Sequence, residues 1–264
     1  MTSKILYTKA LIIGATSGIG EAMAIRLVQQ GTSVVAVGRR KDRLDALVSA
    51  HGKGQGGASI TGEQFDIANL DAIPAFVKDV TSKHPDMDCV VLNAGIQRGY
   101  AFDRPEGINL EKITQELTIN YLSYVHLTTA FLPHLQRLQP HPAHLVYISS
   151  GLALLPVLTR SPNYCATKAA LHSFLLGLRE QLQDPPNSQH ISVVEVFPPI
   201  VQTELHSTFN QPDLVNGEEM GMPLEQFTNH MFAGLQEGKV QVPVGMAEDA
   251  FSAEGFETKR QQSE

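Results

Sequence analysis

The chain has 264 residues, 42% hydrophobic and 18% charged, and 20 Lys and Arg against 27 Asp and Glu leave a formal net charge of −7. That length suits one large α/β domain, and the composition is too apolar and too weakly charged for a disordered chain. An acidic chain without a basic stripe is a poor grip for a phosphodiester backbone, and no apolar run approaches the ~18 residues of a membrane helix.

In chain order, short apolar runs alternate with stretches of helical periodicity, the pattern of a parallel sheet wrapped by helices. Strands are expected near residues 10–13, 33–37, 59–65, 88–92, 144–149 and 191–197. Their continuous apolar character suits strands covered on both faces. Helices are expected over 21–30, 42–51, 70–83, 110–138 with a bend at Pro133, and 164–183. The stretch HGKGQGG at 51–57 reads as a flexible surface connection, and neither a repeat nor an interdomain linker is visible, so residues 1–264 are taken as a single domain. Pro198-Pro199 ends the last strand. Residues 200–240 then interleave Leu205, Phe209, Leu214, Met220, Met222, Phe227, Met231 and Phe232 with Asn, Glu and Gly. Such a segment either lines an apolar substrate pocket, as a lid beyond the carboxyl ends of the strands, or caps the core. The polar tail from Ala253 is expected to fray. Of the two cysteines, Cys89 and Cys165, the first lies in an apolar run and reads as a small buried hydrophobe. Residues 1–9 lack the parts of a secretory signal, so a reducing, cytoplasmic setting is expected.

Four motifs carry chemistry. The glycines of Gly14-Ala-Thr16-Ser17-Gly18-Ile19-Gly20 follow the first strand and open the first helix. There they let the chain turn tightly and a pyrophosphate approach free N–H groups at the positive end of a helix dipole. A glycine triplet alone also serves as a plain turn, and its place between strand and helix is what gives it weight. At the end of the second strand, where a cofactor with a free ribose 2′-hydroxyl would meet a carboxylate, stand Gly38-Arg39-Arg40. A guanidinium there suits a 2′-phosphate, so NADP is expected over NAD, against the plainer alternative of a solvated basic helix start. Tyr164 and Lys168 lie a helical turn apart on one face. A nearby ammonium would favour the phenolate and make the tyrosine a general acid or base for a carbonyl/alcohol couple, although the pair by itself arises by chance in roughly one such chain in five. Ser149-Ser150 ends a strand fourteen residues before Tyr164, and a serine hydroxyl there would hold a substrate oxygen.

In their order these motifs resemble the short-chain dehydrogenase/reductase family, in its single-domain branch of about 250 residues. The resemblance runs from about Lys9 to Thr203 and implies a Rossmann-type doubly wound parallel sheet with helices on both faces. It implies that the glycine motif, Asp66-Ile67 and Asn93-Ala94-Gly95 flank the cofactor, with Ile200 and Thr203 at its nicotinamide and phosphate end. It further implies that Asn120, Ser150, Tyr164 and Lys168 form the catalytic set, with Asn120 holding a water on the lysine and Lys168 bonding the nicotinamide ribose. No metal enters this scheme. Three departures stand out. The Ser-to-Tyr spacing is one residue longer than usual, leaving Ser149 or Ser150 to face the substrate; Ser150 aligns better, with the extra residue in the 158–163 loop. Pro198-Pro199 replaces the usual Pro-Gly, and no basic residue precedes Gly18, so cofactor choice rests mainly on Arg39.

The function expected is an NADP(H)-dependent oxidoreductase interconverting a carbonyl and a secondary alcohol, with Tyr164 as general acid/base. The alternative is a non-catalytic, redox-sensing dinucleotide-binding protein, disfavoured because the whole catalytic set is present. The segment 200–232 hints at an apolar small-molecule substrate. A homodimer or homotetramer is expected, since residues 110–138 present Leu117, Tyr121, Tyr124, Leu127 and Phe131, more apolar bulk than one sheet face needs.

Overall fold

The computed structural model describes residues 6–184 and 188–262. Seven parallel strands run in the order β3-β2-β1-β4-β5-β6-β7. They are β1 (Lys9–Ile13), β2 (Ser33–Gly38), β3 (Ile60–Gln64), β4 (Cys89–Leu92), β5 (Ala143–Ile148), β6 (Ile191–Phe197) and β7 (Gln241–Pro243). The helices are α1 (Gly18–Gln29), α2 (Lys41–His51), α3 (Ile73–Lys83), α4 (Leu110–Leu117), α5 (Ser123–Gln136), α6 (Pro162–Gln183), α7 (Leu224–Gln236) and α8 (Phe256–Gln261). This is the doubly wound, Rossmann-type α/β architecture, with the strand order reversing between β1 and β4.

Alternation along each strand sorts the core into two layers. Ala10 and Ile12, Val34 and Ala36, Val146 and Ile148, and Val194 and Val196 face α1, α2 and α7. Leu11 and Ile13, Val35 and Val37, Leu145 and Tyr147, and Ile191 and Val193 face α3, α5 and α6. Because both faces are covered, the central strands read as unbroken apolar runs. The edge strand β3 departs from this: Thr61, Gly62 and Gln64 are exposed.

Four expectations need correction. The helix expected over 110–138 is interrupted by a π turn at Thr118–Leu122 and runs through Pro133 as helix. The cause is tertiary: Asn120 inside the turn is clamped to the backbone of Ile96, accepting from its N–H (2.9 Å) and donating to its carbonyl (2.8 Å). Next, Tyr124, Leu127 and Phe131 are fully buried within the chain's own core, so they supply no surplus apolar face for assembly. The segment 200–240 divides: Phe227, Met231 and Phe232 on α7 are fully buried under the sheet, Leu205 lines the central cavity, and Phe209 is 89% exposed. Finally, the tail does not fray over 256–261, where α8 buries Glu257 against His172 of α6. Strand β7, absent from the sequence-based expectation, completes the far edge beside β6.

Cys89 and Cys165 are free and buried. Among the described residues, no helix is long and apolar enough to cross a membrane, and no group of three or more His, Cys, Asp or Glu could hold a metal ion. The stretch 1–9 expected to lack a signal lies largely outside the described residues.

Candidate active site

At the carboxyl ends of the strands lies a cavity of about 370 Å³. Its floor begins where β1 turns through Gly14, whose φ of +86° suits glycine. A Cβ at Gly14 would stand 2.8 Å from the Ala94 backbone, and one at Gly20 only 2.2 Å from the Gly14 carbonyl oxygen. That oxygen accepts a hydrogen bond from Asn93 Nδ2 at 2.9 Å, locking the end of β4 to the loop. Gly18, at φ +56°, faces Thr203 across the cleft. The Ser17 side chain makes no capping bond to α1, so it leaves the N–H groups of that helix's first turn to whatever lies in front of them. Thr16, Ser17, Ile19, Asp66, Ile67, Asn93, Ala94, Gly95, Ile200 and Thr203 all line this one cavity.

The two arginines after β2 differ. Arg39 is exposed at the cavity edge and has no ion pair among the described residues. Arg40 is half-buried: its Nη2 donates to Thr16 Oγ1 (3.1 Å) and Ser17 Oγ (2.9 Å), and its Nη1 to Glu204 (3.1 Å). Arg43 on α2 pairs with the other oxygen of Glu204. Glu204 gains from both; although its partial burial works the other way, Arg43 and Arg40 hold its carboxyl below the ordinary range. Gly38 must stay small, since a Cβ there would come within 2.5 Å of the Thr16 methyl.

Ser150, Tyr164 and Lys168 converge on the same cavity. Ser150 caps a short turn, accepting from Leu152 N at 3.1 Å, and shares the cavity with the Tyr164 phenol. Ser149 lies beside them, with a buried hydroxyl that finds no partner among the described residues. Burial pushes the Tyr164 phenol well above its ordinary pKa; Ser150 pulls it back in part, and the Glu116 carboxylate pushes it further up. Among the described residues Lys168 makes no hydrogen bond to the Tyr164 phenol. Its Nζ donates instead to the Ile148 carbonyl at 2.9 Å and stands 5.7 Å from the centre of the Tyr164 ring. Burial lowers the Lys168 ammonium to a pKa of about 8, against an opposing pull from Glu195. Tyr164 is therefore a protonated donor at neutral pH. Asn120 acts at one remove: besides clamping Ile96 it donates to Thr167 Oγ1 (3.2 Å), and Thr167 in turn bonds the Tyr164 carbonyl (2.8 Å).

Sequence reasoning named Arg40 beside Arg39 but rested cofactor choice on Arg39, and it missed Glu204. It also missed a buried network beneath Lys168, one turn further along α6. There His172 bonds Glu195 (2.9 Å) and Glu257 (3.4 Å), and Arg179 stands 3.5 Å from Glu195. Burial works against a charged His172, but the two carboxylates outweigh it and raise its pKa.

The family model for short chain dehydrogenases matches residues 8–213. The chain belongs to that family of oxidoreductases, which act between alcohols and carbonyl compounds. It is 35% identical over 240 residues to the uncharacterized oxidoreductase DltE of Bacillus subtilis, covering 90% of this chain and 88% of the relative. It is 33% identical over 194 residues to serine 3-dehydrogenase of Agrobacterium fabrum, covering 74% and 72%. Among solved structures, a short-chain dehydrogenase from Sphingobium yanoikuyae in complex with NADPH superimposes with a TM-score of 0.80 at 23% identity, over 97% of this chain and 94% of the other.

The buried ammonium has a stability consequence. With a pKa of 10.5 in the unfolded chain and about 8 in the folded one, Lys168 binds more protons when unfolded between these values. Its cost is full below pH 8 and disappears above pH 10.5. Lys168→Met, set against the lost bond to Ile148, is expected to stabilise the fold by about 1–2 kcal/mol at pH 7. Urea unfolding at pH 7 and at alkaline pH checks this: the gain shrinks as pH rises, and a gain independent of pH refutes it.

Proposed function

We propose that this protein is an NADP(H)-dependent oxidoreductase that interconverts a carbonyl and a secondary alcohol by hydride transfer. The observation that carries the proposal is the meeting, in one cavity, of the glycine loop with Ser150, Tyr164 and Lys168. When bound, the nicotinamide dinucleotide supplies or accepts the hydride. The chain fits such a group: Gly14 and Gly20 leave no room for side chains between loop and sheet, the first turn of α1 is free of a side-chain cap, and arginines flank the loop. Gly14, Thr16, Ser17, Gly18, Ile19 and Gly20 would hold the pyrophosphate, Asp66 and Ile67 the adenine, and Asn93, Ala94, Gly95, Ile200 and Thr203 the remaining length.

Preference for the 2′-phosphate rests on Arg39 together with Arg40. No basic residue precedes Gly18 in sequence, but the Arg40 guanidinium stands beside the loop there, 2.9 Å from Ser17 Oγ. Names borne by relatives accord with this: one is an NADP-dependent 3-hydroxy acid dehydrogenase of Salmonella typhi, 30% identical over 72% of this chain.

In the reducing direction Ser150 holds the substrate oxygen and Tyr164, protonated through its burial, gives that oxygen its proton. Lys168 holds the nicotinamide ribose and refills the proton, and Asn120 acts by fixing Ile96 and the turn of α6 through Thr167. The chain is proposed to work at a soluble, cytoplasmic location as a homodimer or homotetramer, for which exposed Leu110 and Leu117 on α4 offer an apolar patch. A monomer mass by light scattering at micromolar concentration removes the assembly.

Tyr164→Phe is expected to lower turnover by roughly 10²–10⁴ while leaving cofactor affinity intact, measured by NADPH oxidation with a ketone panel and by titration. Wild-type protein that binds the cofactor but turns over no carbonyl or alcohol supports the redox-sensor alternative instead. NADPH is expected to bind roughly ten- to a hundredfold tighter than NADH, a ratio that Arg39→Ala and Arg40→Ala each narrow. Equal affinities in the wild type overturn the preference.

A further inference from the structure

Beyond Tyr164 the cavity continues between an apolar wall, formed by Leu152, Val157, Leu158 and Met246, and a polar one that carries Gln97 and His206. Both polar side chains are buried, at 4% and 9% exposure, and both rest on Gln211, itself 1% exposed. Burying three such groups together is costly unless their hydrogen bonds are allotted, and the allotment can be worked out.

Arg160 begins it. Held by the Asp213 carboxylate at 2.6 and 2.9 Å, its guanidinium can only donate, so the Gln211 atom that it meets must be the carbonyl oxygen. The Gln211 amide nitrogen therefore faces the other way, donating to the Leu205 carbonyl (2.8 Å) and towards Gln97 Oε1 and His206 Nδ1, each 3.3 Å away. An amide nitrogen accepts nothing, and with one of its two hydrogens given to Leu205 the other is shared between Gln97 Oε1 and His206 Nδ1, which makes Nδ1 an acceptor. Burial and the nearby Arg160 charge lower the His206 pKa, which keeps the ring neutral. A neutral ring with Nδ1 as acceptor carries its proton on Nε2. By the same logic Gln97 turns its carbonyl to Gln211 and keeps its amide N–H groups for something else. Among the described residues, neither Gln97 Nε2 nor His206 Nε2 has an acceptor. Both side chains line the same cavity and both meet the Gln211 amide nitrogen, so their spare donors belong to one wall of it.

We infer that Gln97 and His206 form a paired-donor subsite for a second oxygen acceptor, a carboxylate or an ester carbonyl, on a carbonyl substrate whose body lies against the apolar wall. The inference rests on the proposal that Tyr164 reduces a carbonyl in this cavity. It adds to the apolar substrate hinted at by the sequence a polar end, an apolar chain that terminates in an acceptor. Gln211, Arg160 and Asp213 are positioning residues: they touch no substrate but fix which atoms of Gln97 and His206 remain as donors.

The test compares matched ketones with the full-length protein and NADPH: 2-pentanone, 4-oxopentanoate and methyl 4-oxopentanoate, with shorter and longer oxo acids to find the best reach. In the wild type, kcat/KM for the best acid or ester is expected to exceed that of the plain ketone by roughly ten- to a hundredfold, chiefly through KM. Preference for the acid alone identifies a carboxylate, and equal preference for acid and ester a neutral acceptor. Gln97→Leu and His206→Phe should each bring the ratio towards one. Gln97→Glu keeps the side-chain volume and the bond from Gln211 but turns a carboxylate towards the ligand, and should push the acid below the plain ketone. A wild-type ratio near one, or a ratio untouched by all three variants, overturns the subsite. Calorimetric titration of 4-oxopentanoate into the protein with NADP+ separates this from the catalytic proposal. Binding lost in Gln97→Glu, with no turnover of any ketone by the wild type, upholds the subsite and rejects the reductase; turnover without any acceptor preference does the reverse.

Discussion

The approach of Gly20 to the carbonyl oxygen of Gly14 is the constraint on which the site depends. With a would-be Cβ only 2.2 Å from that oxygen, α1 lies against the end of β1 as no other residue would permit. The same oxygen accepts from Asn93, so one atom ties the loop, the first helix and the end of β4 together at the point where the strand order reverses. Everything lining the cavity is placed relative to that knot. Thr203 closes over Gly18 from the far side, and Asn120 reaches the segment after β4 by clamping Ile96.

The interior behind the cavity is arranged around charge that water cannot reach. Lys168 carries its ammonium into a site where the Ile148 carbonyl is its hydrogen-bond acceptor, and Glu195 supplies the balancing field from β6. Glu195 is fully buried and leans on His172 and Arg179. Glu257 joins this group from α8, so the end of the chain is part of the same electrostatic unit as the catalytic helix α6. Such a group is expensive to assemble and sensitive to the loss of any one member.

Much of this was legible because it is local. Strand β6 was expected at its observed limits, since an unbroken apolar run ends at Pro198-Pro199. The glycine motif, Asn93-Ala94-Gly95 and the Tyr164/Lys168 pair each occupy a short stretch whose geometry follows from one strand end or one helical turn. Where sequence reasoning failed, the cause lay in distant partners or in competing interpretations. The π turn at Asn120 exists because of Ile96, twenty-four residues away. Strand β7 has three residues, one of them proline, too few to show any period. Helix α7 did carry a helical spacing, in Leu224, Phe227, Met231 and Leu235, but that spacing alone did not separate a pocket lining from a covering for the core, and the structure makes it the latter. The tail's polarity concealed a carboxylate whose partners are His172 and Arg260. The wall formed by Gln97, His206 and Gln211 gathers residues from two distant parts of the chain, and no spacing in the sequence joins them.

Glu204 gives the arginines beside the glycine loop a counter-ion of their own, shared between Arg40 and Arg43. An anion that takes Arg40 must exchange with this carboxylate instead of adding to a bare cation. The electrostatic gain of binding is then the difference between two contacts, and its dependence on ionic strength is weaker than two free guanidiniums would produce. The displaced carboxylate sits next to Thr203, on the segment that follows β6. Leu205 and His206 follow directly in the chain, so the carboxylate that pairs with the arginines at one end of the cavity and the polar wall at its other end belong to a single short stretch.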